Sequence, residues 1–244
     1  MIRAVVFDLD DTLAPEYGFV KSGFKAVASF LAEGKWLRFK VSEGSDAAAL
    51  TQQLWRELLE LFDEDARNVF NRLLEFHGVG DPGDDIFDLV KLYRDHEIDP
   101  EIYRPYSDAM PALDRLKKEG VKLGILTDGF ALSQRNKLRT LGFDKDLFDS
   151  ILVTAQMGEG YAKPSEKGFL HVAGELGIDP SEMIYVGDNP KKDFYIGQLL
   201  PVKTVRVMRK GGVYENAPYR EDIKEDFRIE DLGQIYAYIR GIEE

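Results

Sequence analysis

Asp8 and Asp10 stand two residues apart at the end of a short apolar run, and they are where this sequence first offers chemistry. In extended backbone, residues i and i+2 point to the same side, so the two carboxylates share a face for as long as strand geometry persists. Neighbouring carboxylates repel, and either one holds its proton to higher pH or a cation relieves the pair. A hard divalent ion with oxygen ligands suits such donors, and Mg²⁺ is the usual one beside phosphate. Asp188, behind another apolar run in Val186-Gly187-Asp188-Asn189-Pro190, can complete that set. A carboxylate not consumed as a ligand is then available as a nucleophile, with its neighbour as general acid and base.

Other polar residues fit an anionic electrophile such as a phosphoryl group. Thr127 supplies a hydroxyl, the Asp128-Gly129 backbone offers N–H donors near a helix start, and Lys163 supplies a cation. Phosphoryl transfer depends mostly on positioning and charge stabilisation, which this collection can provide.

Composition narrows the alternatives. The 244 residues include no cysteine and only three histidines, which removes disulfides, thiolate zinc sites and cysteine nucleophiles and leaves carboxylates as metal ligands. Acidic side chains outnumber Lys and Arg by 44 to 32, a net charge of −12, which opposes a nucleic-acid polymer as partner. No apolar run reaches the ~18 residues of a membrane span. Met1-Ile2-Arg3-Ala4 enters a strand-like run with no signal-peptide pattern, so the expected location is cytoplasmic. Nothing in the sequence specifies an oligomer.

These residues need elements to hold them. Ile2–Phe7, Val121–Thr127, Ile151–Thr154, Met183–Val186 and Thr204–Met208 are near-continuously apolar and read as strands covered on both faces, hence parallel. Helical patterns lie between them at Ser107–Glu119, Ala131–Leu141, Ser165–Leu176 and Lys191–Leu200, several ending at glycine. The rhythm predicts an α/β fold, a doubly wound parallel-sheet (Rossmann-like) core, with ligands at the carboxyl ends of its strands. The interval after the first strand is too long for a loop. Helical spacing at Ala47–Phe62, Glu64–Phe76 and Asp84–His96 marks an inserted helical domain. The expected division is a core of residues 1–15 and 100–244 and an α-helical insertion of residues 16–99.

Asp8-Leu9-Asp10-Asp11-Thr12, Thr127-Asp128-Gly129, Lys163-Pro164 and Gly187-Asp188 with Asp193 resemble, in this order, the four motifs of the haloacid dehalogenase superfamily. The helical insertion is similar to the cap of that superfamily's phosphatase branch. The resemblance implies a phosphomonoester hydrolase acting on a small phosphorylated metabolite through an aspartyl-phosphate. Under it Asp8 is the nucleophile, and Asp10 protonates the leaving group and then activates water. Asp8, the backbone carbonyl of Asp10 and Asp188 bind Mg²⁺, while Thr127, the Asp128 backbone and Lys163 hold the phosphate. Asp193 supports the metal shell or orients Lys163. Asp128 stands where the family often has Asn, a departure that keeps the backbone donors. The cap implies a closable, water-restricting pocket.

Each residue also has a plain structural reading. Asp10-Asp11-Thr12 can cap a turn, Asp188-Asn189-Pro190 can cap the following helix, and Asp193 can be a first-turn acid. Trp36, Arg38, Trp55, Arg67, Arg72, Tyr93 and His96 of the insertion read as core or solvated face rather than substrate contacts. The basic stretch Arg206–Gly212 reads as a solvated loop in preference to an anion site. Two other functions remain beside the phosphatase: a phosphomutase of the same family, and a non-catalytic scaffold that binds a phosphometabolite. Carbon–halogen cleavage suits this carboxylate-rich site less well than phosphate chemistry.

Overall fold

A computed structural model describes residues 1–243. The chain divides into two compact units, one of Met1–Glu16 with Tyr103–Glu244 and one of Tyr17–Ile102. In the first, the described residues form a six-stranded sheet: β1 (Ala4–Phe7), β2 (Lys122–Thr127), β3 (Ser150–Val153), β4 (Met183–Gly187), β5 (Lys203–Val207) and β6 (Phe227–Ile229). All pairs are parallel, and the order is β3-β2-β1-β4-β5-β6. This is the doubly wound arrangement expected from the alternating pattern.

The strand sequences are apolar throughout because both faces are covered. Val5, Phe7, Leu123, Ile125, Ile184 and Val186 join one core cluster, and Ala4, Val6, Leu126, Met183 and Tyr185 join another. Alternate residues of each strand thus go to opposite layers. Each buried Val, Ile or Phe contributes about 1.5–3 kcal/mol.

The second unit is helical: α1 (Glu16–Ala32), α2 (Ala47–Glu64), α3 (Val69–Phe76) and α4 (Ile86–Asp95). Phe24, Val27, Leu31, Leu54, Leu58, Phe70, Leu73 and Leu89 form its own core. The pattern reading missed α1 and extended α3 too far back. Asp65 accepts the Arg67 N–H and Asn68 takes a left-handed φ of 53°, so the chain leaves helical geometry between α2 and α3. Trp36 is buried in this core, and Trp55 and Tyr93 pack against it.

Around the sheet lie α5 (Ala109–Lys118), α6 (Ala131–Leu141), α7 (Glu166–Leu176), α8 (Ile196–Leu199) and α9 (Gln234–Glu243). Leu113 and Leu116 of α5 and Ile235 and Ile239 of α9 cover one face, and Phe169, Val172 and Leu176 of α7 cover the other. The helix expected over Lys191–Leu200 is mostly absent. Residues 189–193 instead make a turn in which the Asn189 carbonyl accepts from Lys192 and Asp193, and the Asp193 carboxylate accepts the Asn189 N–H. β6 and α9 were also unmarked in the pattern. Among the described residues, no helix is long and apolar enough to cross a membrane.

The basic stretch Arg206–Gly212 begins inside β5, and its two arginines are not solvated. Arg206 is 3% exposed and donates to the Tyr219 hydroxyl and the Tyr214 carbonyl. Arg209 is 8% exposed, pairs with Asp108 at 2.8 Å, donates to the Thr12 carbonyl at 2.7 Å and lies over the Tyr106 ring. Breaking a buried pair strands its partner, at about 3–5 kcal/mol. Arg209→Met is therefore expected to lower unfolding stability by about 3 kcal/mol in urea titration. A change of a few tenths would show that Asp108 and Thr12 do not depend on it.

Candidate active site

β1 and β4 are neighbours, and the order of connections reverses between them, which opens a crevice at their carboxyl ends. Asp8 follows β1 directly, its N–H bound to the Val186 carbonyl of β4 at 2.8 Å. Asp188 follows β4. The loop after β1 turns sharply at Asp11, whose φ is 49°, a region Asp tolerates better than most residues. The Asp11 carboxylate accepts from the Glu16 and Val213 N–H groups at 2.9 Å and from the Tyr106 hydroxyl at 3.3 Å. It is therefore engaged as a structural tie.

Lys163, its side chain fully buried, joins two other motif residues and a tyrosine. Its Nζ lies 2.7 Å from Asp8 Oδ2 and 2.9 Å from Asp193 Oδ1, and it donates to the Tyr185 hydroxyl at 2.7 Å. Burial alone would lower the lysine's pKa, but Asp193 and Asp8 push it well above its ordinary value. Tyr185 also donates to the Leu126 carbonyl, so the contact is oriented from both sides. Asp193 is held in turn by the Asn189 N–H.

The acids share too little positive charge. Burial lifts Asp188 to about 9, with Asp193, Asp8 and Asp11 adding to the rise and Lys163 opposing it. Burial also lifts Asp8 to about 6, against Lys163. Oxygens of Asp8, Asp188 and Asp193 lie within 4.8 Å of one another. Three crowded, buried carboxylates, of which Asp8 and Asp188 are raised by that burial, suit a hard divalent cation, which would relieve them. The Asp10 carboxylate is not part of this trio.

Asp10 faces α6 instead. Its Oδ1 pairs with Lys137 at 2.7 Å and its Oδ2 accepts from Gln134 at 2.9 Å. The same Gln134 nitrogen reaches Thr127 Oγ1 at 2.8 Å and the Asp128 carbonyl at 2.6 Å. Glu16 is lifted to about 7 by burial and then by Asp10, with Lys137 opposing. The Asp128 carboxylate accepts from the Thr154 hydroxyl at 2.7 Å and the Lys163 N–H at 3.2 Å and pairs with Lys192 at 3.0 Å. That side chain ties the ends of β2 and β3 to the turn after β4, and only the Asp128 backbone is left to serve an anion.

Gln134, Lys137, Tyr185 and Lys192 are site residues that the motif reading passed over. One signal was available. A helix flanking a sheet should show an apolar stripe, whereas α6 buries Ser133, Gln134, Asn136 and Lys137.

A doubly wound sheet with acids, a hydroxyl and a buried lysine at one edge defines a class of α/β hydrolase, and the comparisons narrow it. Residues 2–195 match the haloacid dehalogenase-like hydrolases, and the chain belongs to that family. It is 30% identical to the glyceraldehyde 3-phosphate phosphatase of Methanopyrus kandleri, covering 99% of each chain. It is 27% identical to the glyceraldehyde 3-phosphate phosphatase of Methanocaldococcus jannaschii, over 100% of this chain and 99% of that one. Its fold is similar to the crystal structure of a haloacid dehalogenase-family phosphatase from Thermococcus onnurineus, with a TM-score of 0.59, 24% identity, and coverage of 98% and 99%.

Gly187 permits this arrangement, because a Cβ there would sit 2.4 Å from Asp193 Oδ2. That oxygen is buried and bonded, so it cannot simply swing away. Gly187→Ala is expected to cost about 1–3 kcal/mol of stability, read by urea unfolding. Unchanged stability would mean that Asp193 has room to retreat.

Proposed function

We propose that this protein, a phosphomonoester hydrolase of small phosphorylated metabolites, works through an aspartyl-phosphate on Asp8 with Asp10 as acid and base. The observation that carries the reading is the 2.7 Å pairing of Asp8 with buried Lys163 at the edge where Thr127 also ends its strand. Lys163 keeps the Asp8 carboxylate ionised and aimed, and the Thr127 hydroxyl and Asp128 backbone receive the phosphoryl oxygens. Asp8 attacks phosphorus as the ester P–O bond breaks, and Asp10 gives its proton to the departing oxygen. Asp10, now a carboxylate, takes a proton from water, whose oxygen attacks phosphorus. The bond to Asp8 breaks, phosphate leaves, and both acids are restored. Asp193 holds Lys163 in place.

Asp8, Asp188 and the Asp10 carbonyl would hold Mg²⁺, which when bound supplies positive charge for the phosphoryl oxygens. We read Tyr17–Ile102 as the family's cap, inserted between β1 and β2, and place the enzyme in the cytoplasm. The full-length relatives make glyceraldehyde 3-phosphate the first substrate to assay.

Phosphate release should be measured over a panel of triose phosphates, sugar phosphates and nucleotides. We expect turnover with Mg²⁺ that falls to background with EDTA or in Asp8→Asn, which keeps the side chain's shape without its charge. Full turnover in Asp8→Asn would refute the nucleophile assignment. Isomerised sugar phosphate with little free phosphate would favour the phosphomutase.

Metal binding should also show in stability. Asp188 titrates near 9 when folded against an ordinary 3.8, so the folded state keeps a proton that the unfolded chain releases. Its contribution is fully present below the unfolded value and is lost as pH rises through about 9. Mg²⁺ competes with that proton, so the rise in melting temperature on adding Mg²⁺ should grow from about pH 6 to about pH 9. A rise independent of pH would exclude Asp188 as a ligand.

A further inference from the structure

α6 presents Gln134 and Lys137 three residues apart, on one helix face, and both are almost wholly buried, at 2% and 4% exposure. Burying an ammonium group is costly without a charged partner. That partner is Asp10, with Lys137 Nζ 2.7 Å from Oδ1. The other oxygen of Asp10 accepts from Gln134 at 2.9 Å. Both oxygens of one carboxylate are thus held by one helix.

Gln134 does more than hold Asp10. Its nitrogen carries two hydrogens and faces three acceptors: Asp10 Oδ2, Thr127 Oγ1 at 2.8 Å and the Asp128 carbonyl at 2.6 Å. Reversing the amide would set its oxygen against the Asp10 carboxylate and the Asp128 carbonyl, so the donor orientation is the stable one. Of the three acceptors, Thr127 is the hydroxyl, whose own proton is there to bind the phosphate. When that proton goes to a phosphoryl oxygen, Thr127 becomes a stronger acceptor from Gln134, because linked hydrogen bonds polarise one another. Room for the amide comes from Gly129, φ 128°, where a Cβ would lie 3.2 Å from Gln134 Cδ.

We propose that Gln134 and Lys137 are positioning residues for Asp10, fixing its carboxylate in register with the phosphate held at Thr127. This rests on the reading of Asp10 as acid and base. Its consequence depends on the leaving group. p-Nitrophenolate departs as a stable anion and needs no proton, whereas the alkoxide of an alkyl phosphate needs one, and hydrolysis of the aspartyl-phosphate needs a base in either case.

Rapid mixing with p-nitrophenyl phosphate separates these steps: the burst reports phosphorylation of Asp8, and the steady state reports hydrolysis. In Lys137→Met and in Gln134→Leu, the burst rate should stay within about twofold of wild type while the steady state slows at least about tenfold. With glycerol phosphate, kcat should fall by at least about tenfold and KM should change by less than about threefold. Lys137→Arg, which keeps the charge, should recover part of the loss. Asp10→Asn, run beside them, should give the same pattern more strongly. If Asp10→Asn gives it but Lys137→Met and Gln134→Leu match wild type on both substrates, the positioning role is overturned and the role of Asp10 stands. If Asp10→Asn spares both steps, the reading of Asp10 fails and the proposal falls with it. Equal loss of burst and steady state in Lys137→Met and Gln134→Leu would mark general disruption of the site and would also overturn the proposal.

Discussion

A lysine ammonium with no access to water must be surrounded by groups that replace its hydration, and Lys163 has two carboxylates and a phenol for that purpose. Neither carboxylate could remain so deeply buried without it, and the lysine could not stay charged without them. Much of the site follows from this triangle. Gly187 lacks a side chain so that Asp193 can approach, Tyr185 crosses the sheet to supply the third partner, and Asp128 accepts from the backbone of Lys163 itself. The lysine comes from a loop between β3 and α7, whereas its partners follow β1 and β4, so the interaction fastens parts of the chain that share no strand pairing.

The two neighbouring acids of the first motif have different surroundings. Asp8 is buried beside one lysine and two further acids, which sets its proton affinity above that of an ordinary carboxylate. Asp10 turns to a helix on the far side of β2 and meets a different lysine and an amide. The two carboxylates meet different partners although only Leu9 lies between them in the chain. Opposite chemical tasks can therefore be assigned to residues of one type by giving each its own cation.

Much of this was legible in the sequence. Apolar runs covered on both faces specify parallel strands, and acids placed just after them fall on one edge whatever their separation along the chain. The haloacid dehalogenase motifs were readable for that reason. Other features resisted. β6 has three residues, two of them exposed, so it offers no pattern. Lys191–Leu200 had helical composition, but the Asp193 carboxylate closes a turn on Asn189 and defeats it. Arg206 and Arg209 looked solvated because their partners are a hydroxyl, backbone carbonyls and one distant acid. Gln134 and Lys137 left only the weak apolar stripe of α6 as a trace, and their roles show once the fold turns their face inward.

The loop after β5 has a further consequence. Arg209 binds the Thr12 carbonyl, and the Val213 N–H binds the Asp11 carboxylate. These donors lie beyond residue 195, where the family match ends. The loop after β1 is thus braced by a segment that is made much later than it. A nascent chain that already contains every motif still lacks those two ties, so the list of reactive residues is complete in synthesis before the geometry that makes them useful.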